Sequence, residues 1–338
     1  MYQAPEIQSG RGIAGNLSHV PGRVLVATME IPWKLFQTRQ SWTPHHVHFV
    51  DSMDKDAVEA LPDTLPECDA VVGLGGGSAC DTAKYLAWKR QCRLIMAPSI
   101  VSVDAPLTNT VAVRVDKQVQ YIGNLYPREV LIDYDLIQAA PKELNRAGAC
   151  DIASIHTALH DWDLAHKNMG EPYDAGIAAE SQECLEELDR NAAEVYAVSP
   201  KGIDTIIDLF RREVEFCSRI NTSRPEEGSE HLVAYNLERI TRRHFVHGDL
   251  VGLGIFMMAR LQGNRVDYAD SLIQRCGLRY QAPNATPDEI RMCLQTLKVF
   301  KDKSGLFYSV VDTEPITETF IRESLKALYA QAEGERPF

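Results

Sequence analysis

The stretch from Ala70 to Trp88, AVVGLGGGSACDTAKYLAW, constrains the fold more than any other part of the chain. Ala70-Val71-Val72 is a short apolar run of the kind buried on both faces of a parallel sheet. Gly75-Gly76-Gly77-Ser78 follows at once, and residues 81–88 read as a helix. Glycines between a strand and a helix let the chain turn tightly and let a ligand approach the backbone. The amides that open the helix have no partners within it and sit at the positive end of its dipole, so a phosphate-sized anion suits them. GLGGGS lacks the G-x-G-x-x-G spacing of the common dinucleotide fingerprint, so the turn by itself specifies an anion and nothing finer.

The flanking sequence repeats the same alternation. Residues 1–22 supply an edge strand and a short helix. Strands are expected at 23–28, 45–50, 93–97 and 130–133, with helices after Pro32 and over 54–65. Residues 109–115 and 118–122 read as a hairpin. From about residue 146 the apolar spacing changes to three and four, as in Ile152, Ile155, Leu159 and Trp162. Helices are expected at 180–188, 203–220, 231–242, 248–261, 287–297 and 316–332. The chain of 338 residues is long enough for two cores. The expected architecture is an α/β N-terminal domain with a Rossmann-like parallel sheet (1–145), which binds a dinucleotide, and an all-α C-terminal domain (146–338), which binds metal and substrate.

A net charge of −12 weighs against nucleic acid or an anionic membrane as partner. Eight cysteines without a C-x-x-C pair fit reduced thiols better than disulfides or a zinc ribbon, and no leader or bilayer-length apolar run is present. A cytoplasmic location is the expectation.

A second constellation is spread over three places. Asp151, His231 and His247 each stand at the start of an expected helix. One carboxylate and two imidazoles can hold a divalent ion with positions left open for substrate. Spacing does not bring the three together, and an aspartate opening a helix is ordinarily a cap.

Five segments, in order along most of the chain, carry a family pattern. They are Gly75-Gly76-Gly77-Ser78 with Asp81 and Lys84, residues 98–106 (PSIVSVDAP), residues 146–151 (RAGACD), Ser223-Arg224-Pro225 with Gly228-Ser229-Glu230-His231, and His247-Gly248-Asp249 with Val251-Gly252. Together they resemble the iron-containing alcohol dehydrogenase superfamily, which includes dehydroquinate synthase, and within it the glycerol and sn-glycerol-1-phosphate dehydrogenase branch. The resemblance implies that Gly75, Gly76, Gly77, Ser78 and Asp81 hold the cofactor pyrophosphate. It implies that Ser99, Ser102 and Thr108 line NAD (or NADP), and that Asp104 faces the substrate. Asp151, His231 and His247 would bind a divalent metal, zinc first among the choices, with His247 and Asp104 as the catalytic residues. Arg224 could meet a substrate phosphate, and His244 could relay a proton. An acid at Met29-Glu30, after the first convincing strand, would favour NAD.

Several positions depart from the family pattern. Ile155 stands where other branches place a further metal histidine, Cys150 replaces a glycine, Tyr235 a histidine and Asp249 a glutamate. The implied activity is NAD(P)-linked oxidation or reduction of a small polyol or polyol phosphate by a homo-oligomer. The alternatives are a dehydroquinate synthase-like carbon–oxygen lyase without net redox, and a binding protein that has lost catalysis.

Overall fold

Six strands form one parallel sheet in the order β1-β8-β5-β4-β2-β3. They are β1 (Glu6–Gly10), β2 (Val24–Thr28), β3 (His46–Phe49), β4 (Ala70–Gly75), β5 (Arg93–Pro98) and β8 (Glu129–Asp133). Strands β6 (Thr110–Val115) and β7 (Gln118–Asn124) pair antiparallel as a separate hairpin. The computed structural model describes residues 3–116 and 118–334.

Every residue of β2 and β4 is buried, which explains their unbroken runs of Val, Leu, Ala and Gly: both faces of the sheet are covered, so no polar alternation is tolerated. β4 lies between β2 and β5, with Val24 opposite Ala70 and Ala70 opposite Arg93. From β2 the chain steps outward to β3, then returns to β4 on the other side of β2 and continues to β5. The strand order therefore reverses between β2 and β4. Their carboxyl ends, Thr28 and Gly75, flank the crevice where ligands bind in such sheets.

The helix after β4 runs Gly77–Arg90 and starts four residues earlier than the sequence pattern suggests. The turn is made by Gly75, whose φ of 156° favours glycine, and by Gly76 in the extended N-cap position. The third glycine and Ser78 thus belong to the first helical turn.

The chain divides into two compact units, Met1–Gly148 with Ala197–Glu215, and Ala149–Tyr196 with Phe216–Phe338. Ala197–Glu215 is helical in pattern but packs with the sheet unit. Tyr134 donates to Asp204 at 2.6 Å, and Gln138 donates to the Val198 carbonyl at 2.8 Å. The second unit is built from helices, among them Ala149–Met169, Ala175–Arg190, Ser229–Thr241, His247–Gln262, Val266–Cys276 and Pro287–Ser304. Among the described residues no helix is long and apolar enough to cross a membrane.

Candidate active site

In the first unit, Gly76, Gly77 and Ser78 are partly open while Asp81 is buried. A Cβ on Gly76 would lie 2.9 Å from Ile100, and one on Gly77 would lie 3.2 Å from Val103. The glycines therefore let the 99–108 segment lie close over the helix start. That segment is anchored at two points: the Ser99 amide donates to the Gly75 carbonyl (2.9 Å), and the Val101 amide donates to buried Asn145 (3.1 Å). Ser102, Asp104 and Thr108 are partly exposed and Ser99 is buried.

Asp81 faces inward rather than toward the turn. It pairs with fully buried Lys84 at 2.9 Å, and Lys84 also donates to the Thr110 carbonyl that opens β6. Burial raises the Asp81 carboxyl while Lys84 opposes the rise. This pair pins the hairpin to the Gly77–Arg90 helix, a structural duty that the sequence motif does not reveal.

Asp104 is pushed up to about 6, chiefly by desolvation, with Lys84 pulling it down and Asp81 pushing it up. Its folded value lies above the unfolded one of about 3.9, so its contribution to stability is present below that pH and is lost as pH rises through about 6. Asp104→Asn is therefore expected to raise Tm by a few degrees at pH 8 and to give no gain at pH 4. A pair of melting curves at the two pH values checks this.

In the second unit, Asp151, His231 and His247 each bring one donor atom to within 4.8 Å of the other two. His247 Nε2 lies 3.5 Å from Asp151 Oδ1, and the two imidazole centroids are 5.3 Å apart. All three residues stand in the first turn of a helix: Ala149–Met169, Ser229–Thr241 and His247–Gln262. Three positive helix ends meet there, which favours any negative charge that develops on a bound oxygen.

Glu230 supports the cluster from behind and was not singled out by sequence. Fully buried, it accepts from the Gly228 amide (2.6 Å) and from Thr157 (2.5 Å), and its Oε1 lies 2.9 Å from His231 Nδ1. With Nδ1–H directed at a carboxylate, Nε2 of His231 keeps its lone pair for a metal. Burial is the largest single effect on His231 and disfavours its charge, but the Glu230 hydrogen bond and the charges of Glu230, Glu227 and Asp151 together outweigh it and push His231 up to about 9. One carboxylate and two imidazoles form the donor set, with Glu230 and Glu227 adding negative charge nearby, and a divalent cation fits it.

Glu230→Gln is expected to lower metal affinity about 10- to 100-fold with the fold intact. Titration of the metal-free protein against a chromogenic chelator checks it. Unchanged affinity would mean that the carboxylate only satisfies Thr157 and Gly228.

Asp161, farther along the Ala149–Met169 helix, is also fully buried. It accepts from the Ser229 and Val310 amides, each at 2.7 Å, and so ties down the start of the Ser229–Thr241 helix. Burial, with Glu230 adding to it, pushes its carboxyl up to about 6.

Arg224 is turned into the protein interior. It is fully buried, forks onto both oxygens of Glu171, donates to the Tyr308 carbonyl (2.8 Å) and stacks on Phe307. The S-R-P signature thus marks an internal clamp. His244 is largely exposed beside Glu238, at 3.6 Å. Ile155 is fully buried, and Tyr235 lies 5.9 Å from the His231 ring with its hydroxyl on Glu227. Asp249 is held by Arg279 at 2.7 Å.

The sheet unit thus carries a glycine turn at its reversal point, and the helical unit carries an Asp-His-His cluster. The sequence model of iron-containing alcohol dehydrogenases matches residues 30–141. The glycerol-1-phosphate dehydrogenase (NAD(P)+) of Natronomonas pharaonis is 30% identical over 70% of this chain and 69% of its own length. That of Hyperthermus butylicus is 32% identical over 62% of this chain, and the match spans 60% of its length. Among solved structures, a probable glycerol dehydrogenase from Sinorhizobium meliloti superposes with a TM-score of 0.71 at 17% identity, covering 99% of both chains. The glycerol dehydrogenase of Schizosaccharomyces pombe gives 0.71 at 16%, covering 100% of this chain and 93% of its own. The chain belongs to the iron-containing alcohol dehydrogenase family, and its curated relatives there are named glycerol-1-phosphate dehydrogenases.

Proposed function

We propose that this protein is a metal-dependent, NAD(P)-linked dehydrogenase of small polyols, with glycerol 1-phosphate and its ketone, dihydroxyacetone phosphate, as the substrate pair. The observation that carries the reading is the convergence of Asp151, His231 and His247 at three helix starts, with Glu230 behind His231. Relatives named for glycerol-1-phosphate dehydrogenation support the phosphorylated substrate.

A divalent ion bound there, zinc by its affinity for imidazole and carboxylate, supplies Lewis-acid polarisation of a substrate oxygen; the nicotinamide supplies or accepts hydride. The chain's own residues do the rest. Asp151 offsets the ion's charge, and Glu230 holds His231 in one tautomer and orientation. The three helix ends favour negative charge on the substrate oxygen as the hydroxyl proton leaves. In the first unit, the amides of Gly77 and Ser78 receive the cofactor phosphates, and Ser99, Ser102 and Thr108 border the dinucleotide. Asp104, ionised above about pH 6, is the acceptor for a substrate hydroxyl. Glu30 opens the Glu30–Gln37 helix at the end of β2 and is exposed, in position to accept from ribose hydroxyls and to favour NAD.

The test is NAD(P)H oxidation and formation by zinc-loaded protein over glycerol, glycerol 1-phosphate, dihydroxyacetone and dihydroxyacetone phosphate. Turnover of the phosphorylated pair in preference to the free pair supports the reading. Silence across the panel, with metal and cofactor bound, overturns it.

A further inference from the structure

Two cysteines meet at the far end of the sheet from the glycine turn. Ala70 and Arg93 open β4 and β5 and are register partners, so the chain enters these adjacent parallel strands side by side. Cys68 stands two residues before β4 and Cys92 directly before β5, and their side chains hydrogen-bond. Carried one step back, the register sets Cys92 beside Asp69, the residue after Cys68. A strand spacing of about 4.8 Å and a rise of about 3.3 Å then put the two cysteine Cα atoms about 6 Å apart on the diagonal, within the about 4.4–6.8 Å that a disulfide spans.

A cation is built into the same corner. Arg90 Nη1 lies 3.4 Å from Cys68 Sγ. The guanidinium is fixed there by the carbonyls of Pro62 (2.9 Å), Leu65 (2.7 Å) and Pro66 (2.7 Å) at the end of the Lys55–Thr64 helix.

We propose that Cys68 and Cys92 form a thiol–disulfide modification site, with Cys68 the nucleophile, Cys92 its resolving partner and a hydroperoxide the oxidant. The Cys68 thiolate attacks the outer peroxide oxygen, and the O–O bond breaks. Cys68 becomes a sulfenic acid, and the released alkoxide (or hydroxide) takes up a proton. The Cys92 sulfur then attacks the sulfenic sulfur, losing its own proton, and the departing hydroxide leaves as water. In sum, two thiols and one hydroperoxide give one disulfide, one alcohol and one water.

The environment selects this pair. A hydrogen bond from Cys92 draws the Cys68 thiol below its ordinary range against the effect of burial, and Arg90 adds to it. Cys92 is partly exposed, which opens the corner to a small oxidant. Cys80, Cys276 and Cys293 are buried, and burial pushes each up to about 12 against the weaker pull of Lys84, Arg275 and Arg239. Cys217 is partly exposed but lies 3.3 Å from a Glu226 carboxylate oxygen, which disfavours a thiolate. The site lies about 20 Å along β4 from the glycine turn, by the rise of a strand, so it is separate from the cofactor residues.

The experiment is limited hydrogen peroxide treatment of the full-length protein, followed by non-reducing peptide mapping. The expected first product is a Cys68–Cys92 cross-link, formed while Cys217 and the buried cysteines still alkylate after denaturation. In Cys92→Ser, dimedone is expected to label Cys68, and alkylation of Cys68 at pH 7 is expected to slow about tenfold as its hydrogen-bond donor weakens. Oxidation of any other cysteine before this pair overturns the proposal. So does a folded Cys92→Ser protein, shown by its melting curve, in which Cys68 gives no dimedone adduct.

Discussion

His247→Ala is expected to lower kcat/KM by about 10³-fold or more while leaving NAD(P)H binding unchanged. His247 is one of three donors gathered within 4.8 Å, and the family position four residues after Asp151 holds a buried isoleucine rather than a further ligand. Among the described residues the set has no further member, so removing one imidazole leaves two donors, too few to hold a divalent ion firmly. Two readouts separate loss of metal from loss of fold: metal content after gel filtration, and cofactor fluorescence, which reports the other unit. His244→Ala is the control, since His244 lies three residues earlier and points to solvent. Equal losses in the two variants would mean that the loop, and not the donor, matters. Full activity with a full complement of metal in His247→Ala would remove His247 from the site.

The sheet was legible because burial on both faces leaves a simple mark, runs of Val, Leu and Ala between turn signals. The hairpin and the long helices were legible for similar reasons. The Asp-His-His cluster was not legible from spacing: Asp151 and His247 lie far apart in sequence, and what joins them is helix packing, which leaves no local pattern. Only the resemblance placed them together. Arg224 shows the opposite failure. An arginine before a proline in a loop suggests an anion site, yet its partner, Glu171, lies in a distant segment and takes both prongs of the fork. Glu230 was readable in principle, since a carboxylate adjoining a candidate ligand histidine is a natural support. The helix start at Gly77 was missed because a glycine run reads as a turn throughout, whereas Gly75 and Gly76 suffice to make it.

Gly254→Ala tests the packing that gathers the cluster. In isolation the change favours a helix, alanine being about 1 kcal/mol better than glycine in a helix interior. Here Gly254 lies in the His247–Gln262 helix, where it crosses the Ser229–Thr241 helix. A Cβ would stand 2.7 Å from the carbonyl carbon of Glu230 and 2.8 Å from its Cα. Those atoms are helix backbone next to His231 and cannot swing aside as a side chain would, so the two helices must separate. Overpacking of this kind costs about 3 kcal/mol, which exceeds the propensity gain and leaves a net loss of about 2 kcal/mol. The same separation moves His231 away from His247. Gly254→Ala is therefore expected to lower Tm by several degrees and, at temperatures where it remains folded, to bind metal more weakly. Both are measured by melting curves with and without excess zinc, because a ligand confined to the native state raises Tm by more the more tightly it binds, as the logarithm of its affinity. A Tm at or above that of the parent would show that the helices part at no cost and that this glycine does not set the distance between the two histidines. A lowered Tm with an undiminished zinc-dependent rise would separate the packing from the site, and leave Glu230 as the residue that holds His231 in place.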